Sequence, residues 1–280
     1  MRILGRGAQL VVLAAALGGC TAEVGPEGEE AVGEAESAVI KDNALNLNAL
    51  NLNALNLNAL NLNALNLNAL DPSSFTAIRN ADANGDLARE FVKYAVSCAL
   101  QAGQTFEFSW HDAQDVEHAE SYPGVLGLAP YWHTGPLDLT GQRMVSACLA
   151  GLTNFYGTHV TISMRSPEAP LKVVDPNELL TYPNIEGAFW GNLWDEDGSY
   201  LHSCYNSATV AHSRSKYRAC AAGHLNPDNS VVECGIIDIV GPCDTVCEPV
   251  NGETGAYPSC IRKPDQDPAM TEHIITTALP

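Results

Sequence analysis

The 280 residues carry a formal net charge of −19, from 14 basic and 33 acidic side chains. Such a surface repels phosphate backbones and anionic lipid headgroups, which argues against nucleic-acid binding and against an electrostatic hold on a membrane. Even without the first seventy residues, enough chain remains to bury the core of one domain.

At the N-terminus Arg2 and Arg6 precede an apolar run over residues 8–17, broken only by Gln9, and Leu17-Gly18-Gly19-Cys20 follows. The run is short for a hydrocarbon core about 30 Å thick. Residues 1–20 therefore read as a lipoprotein signal peptide and lipobox, with Cys20 as the acylated residue after cleavage; an ordinary secretory signal or a membrane anchor is the alternative. No second apolar run approaches spanning length, so the membrane is expected as a partner only through an acyl anchor on Cys20. The expected location is the cell envelope, at the outer membrane. Setting Cys20 aside leaves Cys98, Cys148, Cys204, Cys220, Cys234, Cys243, Cys247 and Cys260, an even set that implies four disulfides in an oxidising compartment.

Residues 21–42 are acidic, with interspersed Gly and Pro and few large apolar side chains, the composition of a disordered linker. Over residues 43–70 the unit Asn-Ala-Leu-Asn-Leu repeats five full times and ends in Asn68-Ala69-Leu70. Its leucines lie alternately two and three residues apart, a spacing that neither a helix nor a strand can keep on one face. The run reads as a low-complexity spacer, with a short β-solenoid as the alternative.

Residues 71–280 make up the expected domain. Asp86 can cap a helix over residues 87–101, with Gly103 as its stop and Cys98 on its apolar face beside Leu87, Phe91 and Tyr94. Phe106, Phe108 and Trp110 alternate as in a half-buried strand over residues 105–111, and residues 112–139 read as a hairpin plus a loop. Met144, Val145, Cys148, Leu149, Leu152, Phe155 and Tyr156 recur at helical spacing until Gly157, and Val160, Ile162 and Met164 then alternate as a strand. Because Cys98 and Cys148 both face inward, they are expected to be bonded to each other. Residues 186–194 and 199–205 read as strands joined by a turn at Asp195-Glu196-Asp197-Gly198. Residues 206–280 hold most of the remaining cysteines and read as a Cys-rich extension whose best strand covers residues 231–240. The expected class is α+β: two amphipathic helices against an antiparallel sheet, with a disulfide-rich C-terminal extension.

Several runs, in order, resemble a set of uncharacterised myxobacterial exported lipoproteins. These are the Asn-Ala-Leu repeats, the run from Tyr94 to Leu100 (YAVSCAL), Gly127 to Trp132 (GLAPYW), Val145 to Leu149 (VSACL) and Glu186 to Asn192 (EGAFWGN). The likeness spans residues 43–260. It implies secretion and a disulfide-bonded domain, and it carries no catalytic or binding residues.

The residues offer only a few candidate sites. His111, Asp112, Asp115 and His118 place four potential ligands within eight residues, a candidate metal set built on His111, Asp112 and His118. Tyr131 and Trp132, between Pro130 and His133, are candidate ligand-binding aromatics for a cell-surface polysaccharide or protein. Asp82, Asn84 and Asp86 imitate the start of a calcium loop, but Leu87 and Lys93 stand where Gly and Glu belong. Cys234, Cys243, Cys247 and Cys260, with His224, are a weaker zinc set. Serine-hydrolase, zinc-protease, phosphate-loop and dinucleotide motifs do not occur, so no cofactor is expected. The function expected is non-enzymatic display of a binding or structural domain, the alternative being a metal-assisted hydrolase outside the cytoplasm.

Overall fold

A computed structural model describes residues 75–280 apart from 173, together with 39–40 and 45–46. The expected signal peptide with Cys20, most of the expected linker and most of the repeat lie outside the described residues. Two pairs from those regions belong to the fold: β1 (Val39–Ile40) pairs with residues 162–163 and β2 (Leu45–Asn46) with residues 153–154. Residue 71 is thus not where the ordered pairing begins.

Helix α1 (Ala83–Ala99) starts a turn earlier than its sequence suggests. Asp82, not Asp86, is the cap: its Oδ1 accepts from the Gly85 N–H at 2.9 Å, while Asp86 pairs with Arg89. Gly85 is required there, because a Cβ would lie 1.9 Å from the Asn80 carbonyl oxygen. Strands β3 (Thr105–His111) and β4 (Glu117–Pro123) form a hairpin in register along its whole length.

Helix α2 (Leu139–Leu152) is capped by Asp138 and ends short of Phe155 and Tyr156, followed at once by β5 (Thr153–Asn154). Thr153 Oγ1 turns back to the Leu149 carbonyl, and Asn154 bonds to Thr158 O and accepts from Tyr156 N. Side-chain bonds of this kind compete with the helical ladder, which is why the apolar spacing outlasts the helix. Then come β6 (Ile162–Arg165), α3 (Pro176–Thr181), β7 (Asn184–Asn192), β8 (Tyr200–Tyr205) and α4 (Val210–Ser215). The expected strand over residues 231–240 is two: β9 (His224–Leu225) pairs with β10 (Val231–Val232), and β11 (Ile237–Pro242) joins the main sheet. The hairpin β12 (Cys260–Lys263) and β13 (Asp267–Thr271) precedes β14 (Ile274–Leu279).

The class is α+β, but the described residues hold four α-helices, two of them long, and a mixed sheet. Strand order is β1-β6-β14-β7-β8-β11, antiparallel except where β11 runs parallel to β8. Residues 206–280 are also more than an extension. β14 lies between β6 and β7 with all six residues buried, so the end of the chain fills the middle of the sheet.

On one face of the sheet, Phe189, Leu201 and Ile275 share a core with α1 and α2. Cys98 and Cys148, both fully buried, are bonded across the two helices with Cα atoms 6.1 Å apart. On the other face Ala188, Trp190, Cys204 and Ile274 pack against Cys243, Tyr257 and Cys260. The sheet is therefore covered by helices on one side and by a disulfide-bonded segment on the other. That second layer has little regular structure, and its bridges supply the chain constraint that a larger core would otherwise provide.

One polar post crosses the helix side. Arg218, 1% exposed, donates from Nε and Nη2 to Glu186 Oε2 on β7, and from Nη2 and Nη1 to the carbonyls of Gly151 and Thr153 at the end of α2. Thr277 on β14 donates to the same carboxylate oxygen at 2.8 Å.

Candidate functional site

The hairpin separates the candidate metal ligands. Trp110 stands opposite His118 and His111 opposite Glu117, so strand alternation sends the two histidines to opposite faces. Asp112 Oδ1 accepts the N–H groups of Gln114 and Val116 and closes the turn, and Oδ2 meets His118 Nε2 at 3.0 Å. Hydrogen bonding to His118, then to the Val116 N–H, holds the Asp112 carboxyl below its ordinary value. His118 stacks on Trp110 at 4.7 Å, with the Arg89 guanidinium also over that ring. These contacts describe a braced hairpin end, and His111, Asp112 and His118 do not converge on one point. The hydrolase reading loses its ligand set.

Trp132 is fully buried and meets Trp194 edge to face at 6.2 Å, so it offers no ring to a ligand. Tyr131 is exposed, but its hydroxyl donates to Asp138 Oδ1 at 2.6 Å and so braces the cap of α2. The calcium-like residues are a helix start, as their hydrogen bonds require. The zinc set is divided among bridges: Cys234 is bonded to Cys220, Cys243 to Cys204, and Cys247 to Cys260. His224 lies flat on Phe155 with ring centroids 4.0 Å apart.

The structure brings other residues together. A cleft of about 800 Å³ opens beside α4 and the β9–β10 hairpin. Val210, Val231, Val232 and Ile239 form apolar walls, with Arg214 and the exposed Glu233 as its charged groups. Arg214 Nη2 donates to the carbonyls of Ala222 and Gly223, which fix the guanidinium, while its buried Nε has no acceptor among the described residues. The unbonded Nε is closed off from solvent and Glu233 sets a negative charge against Arg214, so the lining offers apolar contact with no net preference for ligand charge. Arg214 lies between two serines, and no sequence pattern marks it.

A second cluster lies on the disulfide-covered face. His202 Nδ1 is 3.1 Å from Asp238 Oδ2, its ring beside Trp190 and Tyr200, and the Lys263 ammonium sits 4.3 Å from the Tyr200 ring centre. Burial lowers the pKa of His202 and of His273 despite the carboxylates of Asp238 and Glu168 nearby. Both histidines thus bind protons more weakly folded than unfolded. Their penalty is absent above about pH 6.5 and grows as pH falls through that unfolded value. Between pH 7.5 and 5.5 the urea midpoint should fall, and His202→Gln with His273→Gln should flatten the fall. A midpoint equally steep in the double variant contradicts this.

Among the described residues three sulfurs, of Cys204, Cys247 and Cys260, lie within 4.8 Å of one another. The disulfides Cys204–Cys243 and Cys247–Cys260 lie side by side, with Cys204 Sγ 3.6 Å from Cys247 Sγ. Both atoms are in bridges, so the two disulfides meet sulfur to sulfur. The chain matches no known family model, and no curated protein or solved structure is detectably similar to it.

Proposed function

We propose that the chain is an exported protein anchored through an acyl group on Cys20, presenting a disulfide-stabilised binding domain at the outer membrane of the cell envelope. The observation that carries this reading is the pairing of every cysteine from Cys98 onward into four bridges. Such a complete set forms and persists in oxidising compartments. Among the described residues no helix is long and apolar enough to cross a membrane. The lipobox sequence and the resemblance to exported lipoproteins point the same way. Binding, in preference to a purely structural role, is supported by the apolar-walled cleft of about 800 Å³ beside α4.

Fractionation of cells expressing the full chain tests the anchor. The wild-type protein should sediment with membranes and incorporate labelled fatty acid, and Cys20→Ser should abolish the incorporation and release the protein. Equal sedimentation without label in both proteins would overturn the anchor.

A further inference from the structure

We propose that Cys204, Cys243, Cys247 and Cys260 form a thiol–disulfide exchange site that takes a low-molecular-weight thiol as co-reactant and passes the exchange from one bridge to the other. Three observations carry it. Cys204 Sγ and Cys247 Sγ are 3.6 Å apart across two different bridges. The sulfurs of Cys204, Cys247 and Cys260 all lie within 4.8 Å of one another. Cys247 is partly exposed, whereas Cys204, Cys243 and Cys260 are at most 1% exposed, so an external thiol meets this cluster at Cys247.

Exchange proceeds by attack of a thiolate on a disulfide sulfur. An external thiolate bonds to Cys247 Sγ, and the electron pair of the broken bond leaves on Cys260 Sγ, which takes up a proton. A second external thiolate attacks the sulfur of the first, releasing an external disulfide and the Cys247 thiolate. That thiolate is already beside Cys204 Sγ and needs to move only about 1.5 Å to reach bonding distance. It forms Cys204–Cys247 and expels Cys243 as a thiolate, which is then protonated. In balance, two bridges and two external thiols become one new bridge, two cysteine thiols and one external disulfide. The result disconnects the 243–245 turn from β8 while keeping residue 247 tied to the sheet.

The other two bridges are placed differently. Cys98, Cys148, Cys220 and Cys234 belong to the core on the helix side, none more than 1% exposed and none in the sulfur cluster. They should persist while the cluster exchanges.

The test treats the native full chain with graded reduced glutathione, quenches with acid and N-ethylmaleimide, and maps linked peptides without reduction. The expected product is a Cys204–Cys247 peptide, with the label on Cys243 and Cys260 and with Cys98–Cys148 and Cys220–Cys234 intact. Label on Cys247 and Cys260 with Cys204–Cys243 intact at every stage would overturn the proposal. A Cys260→Ser variant supplies the attacking thiol without reductant. Label on Cys243 together with a Cys204–Cys247 peptide supports exchange, and label on Cys247 alone overturns it.

Discussion

Arg218→Met lowers the stability of the domain by about 3–5 kcal/mol, the scale set by leaving a buried charge unpaired. Glu186 is 1% exposed, and its Oε2 accepts from Arg218 twice and from Thr277 once. Its Oε1 has no donor among the described residues, so nothing else is placed to compensate the carboxylate. The substitution also strips donors from the Gly151 and Thr153 carbonyls at the negative end of α2. The partner variant isolates the cause. Adding Glu186→Leu to Arg218→Met removes the stranded charge, and the double variant should recover more than half of the loss. Denaturant unfolding of the three proteins measures this. A loss below about 1 kcal/mol in the single variant, or no recovery in the double, contradicts the role given to the pair.

The double variant Cys98→Ala with Cys148→Ala should lose about 4 kcal/mol, from the chain entropy of a closed loop whose ends are 50 residues apart. The two sulfurs are fully buried between α1 and α2, so the bridge holds together the helices that cover one face of the sheet. Opening Cys247–Cys260, with a separation of 13, should be milder by about 1 kcal/mol on the same scale. Thermal unfolding of both variants ranks them. The reverse ranking would mean that the second layer contributes more to folding than the helix pair.

The α1–α2 bridge is legible in the sequence because helical spacing alone puts Cys98 and Cys148 on inward faces. Strands β3, β7 and β8 are legible too, since each presents side chains to two different surroundings or ends at a strong turn. β14 is not. Ile274-Ile275-Thr276-Thr277-Ala278-Leu279 is buried throughout, and a central strand covered on both faces lacks the alternation that announces a strand. The limits at the candidate sites have a similar origin. His111 and His118 look adjacent in sequence, but the register of the β3–β4 hairpin sets their faces. Trp132 sits in the short 3-10 helix Pro130–His133 and packs against Trp194, which comes from a different part of the chain. Arg214 and the apolar walls around it come from α4, β10 and β11, and only the fold assembles them. Helix starts fail more gently: Asp82 and Asp86 are both acceptable caps, and the close approach of Asn80 to Gly85 selects the first.

The most direct test is peptide mapping, without reduction, of the protein isolated from cells that express the full chain and alkylated on isolation. The account predicts a mature chain beginning at an acylated Cys20, the four bridges 98–148, 204–243, 220–234 and 247–260, and no alkylated cysteine. An unmodified Cys20 together with several alkylated cysteines among the other eight would contradict it.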